Sequence, residues 1–135
     1  MLGFAKQSDL YELSKCIFDN NLSKLISMLD DMYQRGSETS KIIEDMMNII
    51  NWSCKLKINQ ELIKDEFLTD EDKNFASYVI QFDSGKLNIF WQSLMKGYDE
   101  IKISPQPHLT LEMVMLRCAF LSLIHISEPT RLDHI

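Results

Sequence analysis

Residues 90–120 read FWQSLMKGYDEIKISPQPHLTLEMVMLRCAF, and this stretch decides the fold. With Leu87 just before it, its first half places Phe90, Trp91, Leu94 and Met95 at successive spacings of 3, 1, 3 and 1, which is one face of an α-helix over KLNIFWQSLMKGYDEIK, residues 86–102. ISPQPH then breaks the chain, and Pro107 suits the first turn of a following helix. From Leu109 to Phe120, nine of twelve residues are apolar and form no single narrow stripe. A helix apolar most of the way round must be covered on more than one side. Two solutions remain open: burial at the centre of one domain, or cover by a second subunit. Gly97, inside the first helix at a cost of about 1 kcal/mol relative to alanine, leaves a similar choice. It marks either a close approach of another backbone or a tolerated surface position.

Helices extend outward from this pair. Ser8 is placed to cap a first helix, DLYELSKCIFDN, with Leu10, Leu13 and Ile17 on one face. Asn20-Asn21 makes a short break. Leu22, Leu25, Ile26, Leu29 and Met32 give a second helical stripe, and Gly36 is placed as its left-handed stop. A third helix starts near Ser37, with Ile42, Met46, Ile49 and Ile50 as its stripe and Ile43, Met47, Trp52 and Cys54 widening it. That girth predicts a central position. INQELIKDEFL, residues 58–68, holds one short helix. Thr69 and the acids Asp70, Glu71 and Asp72 signal a further helix start. Phe75, Tyr78, Val79 and Phe82 form that helix's apolar face, and Asp83-Ser84-Gly85 breaks it. No alternating strand with a hairpin signal occurs. The expected fold is all-α, a single bundle of about six to seven helices.

The tail, LSLIHISEPTRLDHI, has none of this periodicity. Ser127, Glu128, Pro129 and Thr130 stop the apolar run. The eleven residues Leu121–Arg131 resemble the in-frame translation of a common transposase-type sequencing adapter, and such segments are set aside before fold reasoning. The expected division is 1–120 as the helical domain and 121–135 as a non-native tail, disordered or extending the last helix. His125 and His134 then carry no meaning, and His108 reads as a solvated loop residue.

Composition excludes several function classes. Setting aside Arg131, Glu128 and Asp133 takes 14 basic and 20 acidic residues to 13 and 18, a net charge of −5 against −6 for the whole chain. With no basic cluster beyond KLK at 55–57, this is no phosphate-backbone binder. Cys16, Cys54 and Cys118 are far apart with no CxxC, which argues against a metal knuckle and for reduced cytoplasmic thiols. No signal-peptide pattern opens the chain, and no apolar run is expected to reach the roughly 20 residues of a membrane span. GxxxxGK[ST], HExxH and GxSxG are absent. The eight methionines read mainly as core filling. Asp30-Asp31 and Glu44-Asp45 read as solvated helix faces.

In residues 90–120 an aromatic pair is followed by QSLMKG, a charged stretch, a proline-containing turn and a helix that includes EMVMLRC. Phe90, Trp91, Gln92, Leu94, Met95, Gly97, Pro105, Glu112, Met113, Leu116 and Arg117 carry the pattern. It resembles the third domain of the DNA polymerase III gamma/tau subunit, the motor subunit of the bacterial clamp loader. The opening MLG and Gly36 fit the same register, and the resemblance covers residues 1–120. It implies an all-helical collar domain that holds a pentamer together, with other gamma/tau copies, delta and delta prime as partners. The implied subunit interface is Phe90, Trp91, Leu94, Met95, Gly97, Met113, Leu116, Arg117 and Phe120. The parent resembles an ATP-dependent part of the DNA-directed DNA polymerase III holoenzyme, but ATP, magnesium and zinc belong to upstream modules. This fragment is expected to be non-catalytic, to bind no nucleic acid or membrane, and to act in the cytoplasm, with Met1 as an internal methionine. Glu112 and Arg117, five apart, are each expected to meet a partner on another helix. A contrasting expectation is an unrelated helical adaptor that binds a partner helix through its Met-rich surface.

Overall fold

A computed structural model describes residues 6–127, with side-chain surroundings to residue 124. MLG at the N-terminus, the stop at Glu128–Thr130 and His134 lie outside the described residues, as do the surroundings of His125. Among the described residues the chain is all-α: α1 (Gln7–Phe18), α2 (Leu22–Gln34), α3 (Thr39–Ile58), a 3-10 turn (Gln60–Lys64), α4 (Asp70–Val79), α5 (Ser84–Ile103) and α6 (Pro107–Ser127).

Local chemistry sets most of the boundaries. Asn20 takes a left-handed φ of 59°, and the Asn21 side chain accepts from Lys24 N at 3.4 Å to cap α2. Gly36, at φ 83°, ends α2. There Gly36 N donates to Tyr33 O and Ser37 N to Met32 O, the paired bonds of a Schellman stop. Thr69 and Asp72 exchange side-chain and backbone bonds, each 3.0 Å, in a capping box at the start of α4.

Four boundaries differ from expectation. The helix expected to carry Phe82 ends at Val79, where Phe82 N turns back to Val79 O at 3.2 Å, so Phe82 lies in the turn after α4. Ser8 lies inside α1, because Leu10 N already bonds Lys6 O and places the cap at Lys6. The third helix starts at Thr39 rather than Ser37, since Ser37 is spent in the turn after Gly36. Asp83-Ser84-Gly85 does not separate helices by three residues. The Asp83 side chain accepts from Lys86 N at 2.7 Å and starts α5 at Ser84.

The stripes read from sequence meet in one core. Leu10, Leu13, Ile17, Leu25, Leu29, Ile42, Met46, Ile49 and Ile50 are all buried. α3 touches α1, α4, α5 and α6, the central place its girth predicted. Phe18 stacks on Phe82 with ring centroids 4.6 Å apart and meets Phe90 edge-on at 5.2 Å. Lys86 is also buried here, its Nζ 4.4 Å from the centre of the Phe82 ring. Of the methionines, Met32, Met46 and Met115 fill the core, while Met95 and Met113 are exposed.

The expectation about membrane-length runs is corrected. Pro107–Ile124 is long and apolar enough to cross a membrane, with a mean hydropathy of 1.3. Ending the run at Phe120 hid this, because α6 continues through Leu121, Leu123 and Ile124. The same length and composition suit a core helix, and α6 packs on α1, α2, α3 and α5.

Candidate interaction surface

α5 and α6 form a hairpin around a tight turn. Ser104 Oγ lies 2.6 Å from Thr110 Oγ1 and accepts from Gln106 N at 3.0 Å. Pro107 then occupies the first helical position, where its missing N–H costs nothing. Farther along, α5 and α6 approach so closely that a Cβ on Gly97 would overlap Val114 Cγ1 and lie 2.8 Å from Cγ2. Gly97 is therefore the close-approach glycine, and the helix it admits is this chain's own α6.

α6 has two apolar faces, not one diffuse one. Leu111, Val114, Met115, Cys118 and Ala119 are buried, and Ser122 continues their face. On the opposite side Leu109, Met113 and Phe120 are 48%, 65% and 49% exposed. Half-buried Leu116 completes that outer stripe at spacings of 4, 3 and 4. This is the register of residues that seat against another helix. Ile103 at the end of α5, 85% exposed, joins Leu109 and Met113 around a cavity of about 490 Å³.

Charged pairs flank the stripe. Arg117 makes a two-pronged bond to Glu100 of α5, Nη2 to Oε1 at 2.8 Å and Nη1 to Oε2 at 3.2 Å. That bond holds the Glu100 carboxyl below its ordinary range and raises Arg117 further. Arg117 thus meets another helix as expected, whereas Glu112 does not. Its carboxylate lies 3.2 Å from His108 Nε2 on the same helix. His108 is no loop residue. Pro107 starts α6 one position earlier, and the imidazole stacks on Tyr33 with centroids 3.8 Å apart. Cys118 is pushed up to about 12 by burial, which leaves its thiol protonated.

The nine residues expected at an interface divide by location. Phe90, Leu94 and Gly97 are buried inside this chain, packed there by α5's inner face. Trp91, Leu116 and Arg117 are half-buried. Met95, Met113 and Phe120 are exposed. Leu109 and Ile103 join the exposed apolar surface but were not singled out. Continuing the 4, 3, 4 spacing backward from Met113 finds Leu109, whereas Ile103 carried no signal because it looks like the last turn of an inner stripe.

A model of the family described as DNA polymerase III subunits gamma and tau domain III matches residues 1–131. The chain belongs to this family. Among its relatives, DNA polymerase III subunit gamma of Buchnera aphidicola subsp. Schizaphis graminum is 20% identical over 117 residues, which is 87% of this chain and 32% of that protein. DNA polymerase III subunit tau of Salmonella typhimurium is 21% identical over 130 residues, 96% of this chain and 20% of that protein. The chain therefore spans between a fifth and a third of these relatives' lengths. The domain III match runs across both faces of α6 and the α5–α6 hairpin.

Proposed function

We propose that this chain is an assembly module of a bacterial clamp loader. It joins other gamma/tau copies, delta and delta prime into the pentamer that loads the sliding clamp on primed DNA. The outer stripe Leu109, Met113, Leu116 and Phe120 carries this reading. Membership of the domain III family supports it, and the helix-seating register supports a helix of a neighbouring subunit as the occupant. The flanking Arg117–Glu100 pair favours protein over lipid as the cover, since charges beside lipid tails are costly. The net charge of −6 favours protein partners over nucleic acid. ATP, magnesium and zinc chemistry falls to other modules of the parent, and the setting is the cytoplasm.

The test is co-purification of the tagged chain with gamma/tau, delta and delta prime. Met113→Asp and Leu116→Asp should each abolish entry into the complex while the circular dichroism spectrum stays helical. Entry of folded variants at the level of the parent chain would remove α6 from the interface. If the parent chain also fails to join, the adaptor reading becomes the one to pursue. We further propose that Leu121–Arg131 is adapter-derived. Re-sequencing the source locus should replace those codons, and finding them unchanged ends that reading.

A further inference from the structure

We propose that the surface segment 58–71 docks a basic, amphipathic segment of a partner protein, with Ile58, Leu62 and Phe67 as its apolar contacts. α3 ends at Ile58, and three successive turns follow. Leu62 N donates to Asn59 O at 3.2 Å, Asp65 N to Leu62 O at 3.3 Å and Leu68 N to Asp65 O at 3.2 Å. Ile63 packs on the core and Leu68 is half-buried, so the segment is pinned to the bundle. Their chain neighbours Leu62 and Phe67 stay outside. Phe67 and Ile58 are 88% and 87% exposed, more than any other large hydrophobic side chain among the described residues. The Asp65 carboxylate accepts from Phe67 N at 2.9 Å and holds the turn on which Phe67 stands.

The second observation is charge. Residues 58–71 hold Glu61, Asp65, Glu66, Asp70 and Glu71 against one cation, Lys64, a local charge of −4 within the −6 of the whole chain. Lys64 is itself tied to Glu61 at 3.2 Å. Asp70 and Glu71 lie in the first turn of α4, where the helix dipole favours them. Asp65 and Glu66, directly before Phe67, lie outside any helix, and the ion pairs among the described residues give them no cation. Exposed apolar side chains rimmed by charge mark a contact surface, and the sign of the charge selects the occupant. Nucleic acid and an anionic lipid surface are repelled. A second copy joined through the same segment would set like charges face to face. A lysine- or arginine-rich segment with apolar residues along one side meets both features. None of these residues belongs to α5 or α6, so this surface is separate from the outer stripe of α6.

A peptide of about fourteen residues repeating leucine-lysine-lysine-leucine, about four turns of amphipathic helix, is titrated into the 135-residue chain and followed by amide NMR. Two control peptides carry serine for every leucine or glutamate for every lysine. Saturable shifts are expected at Leu62, Phe67 and Leu68 with the first peptide only. Phe67→Ser should weaken binding about tenfold or more, the scale of an aromatic anchor. Asp65→Asn combined with Glu66→Gln should weaken it about threefold, the scale of exposed ion pairs, and that difference should shrink in about 0.5 M sodium chloride. Equal binding of the serine peptide means a charge atmosphere only, and equal binding of the glutamate peptide means apolar adhesion without charge selection; either overturns the proposal. So do shifts confined to Leu109, Met113 and Phe120, or undiminished binding in Phe67→Ser. Should that variant unfold, Leu62→Ser is read in its place. The titration reads the chain alone and a surface outside α6, so its failure is separable from failure of the assembly reading.

Discussion

The two sides of α6 are made of the same kinds of residue and have opposite fates. Leu111, Val114, Met115, Cys118 and Ala119 are at most 2% exposed, while Leu109, Met113 and Phe120 are about half exposed or more. Hydrophobicity does not separate them. Geometry does: Gly97 lets α5 come close enough to seal the inner face, while among the described residues the outer one stays about half exposed. The inner face stabilises the domain. The outer face has its apolar area still to bury, which is the physical condition for association.

That contrast breaks most visibly at Met115, which is fully buried. Met115→Ala should cost about 2–5 kcal/mol of folding stability, read from denaturant midpoints. A loss no larger than that of Met113→Ala on the outer side would erase the distinction between the faces. Gly97→Ala probes the seal itself. The added methyl group has nowhere to go without moving Val114, and overpacking of this kind costs about 1–3 kcal/mol. An unchanged midpoint would mean that α5 and α6 can separate freely, so the inner face would not be fixed by close approach.

Periodicity carried the helices whose apolar stripe is regular in sequence. The stripes of α2 and α3, the Gly36 stop and the Thr69 cap were all visible because each depends on residues within a turn of one another. What stayed hidden depends on distant residues. Lys86 sits in the first turn of α5 and looks like a solvated cation. Phe18 closes over it from α1 and Phe82 from the turn just before α5, and burial lowers its affinity for a proton. Gly97 left two readings because the decision rests on Val114, across the turn. On α6, nine apolar residues in twelve blurred two opposite stripes into one. Of the interface candidates, sequence found the exposed Met95, Met113 and Phe120 but could not tell them from Phe90 and Leu94, whose side chains face inward. His108 was misplaced because two prolines looked like a longer loop than they make.

The border between the faces gives the smallest effect and the finest test. Glu100 and Arg117 are 36% and 32% exposed in their side chains, so the pair contributes on the order of 0–1 kcal/mol. The Arg117 bond lowers the Glu100 carboxyl from its ordinary 4.5. The unfolded chain takes up that proton at the ordinary value, the folded chain only at a lower pH. The pair's contribution is thus fully present above about 4.5 and is lost as pH falls through the lowered folded value. Glu100→Gln should flatten that part of the acid decline in thermal midpoint while leaving the rest, to which Glu12 and Asp72, also lowered, contribute. An acid profile identical to the parent's would show that the pair is not held in solution. The outer stripe would then lose its fixed charged edge, and Arg117 would be free to meet a neighbouring subunit instead.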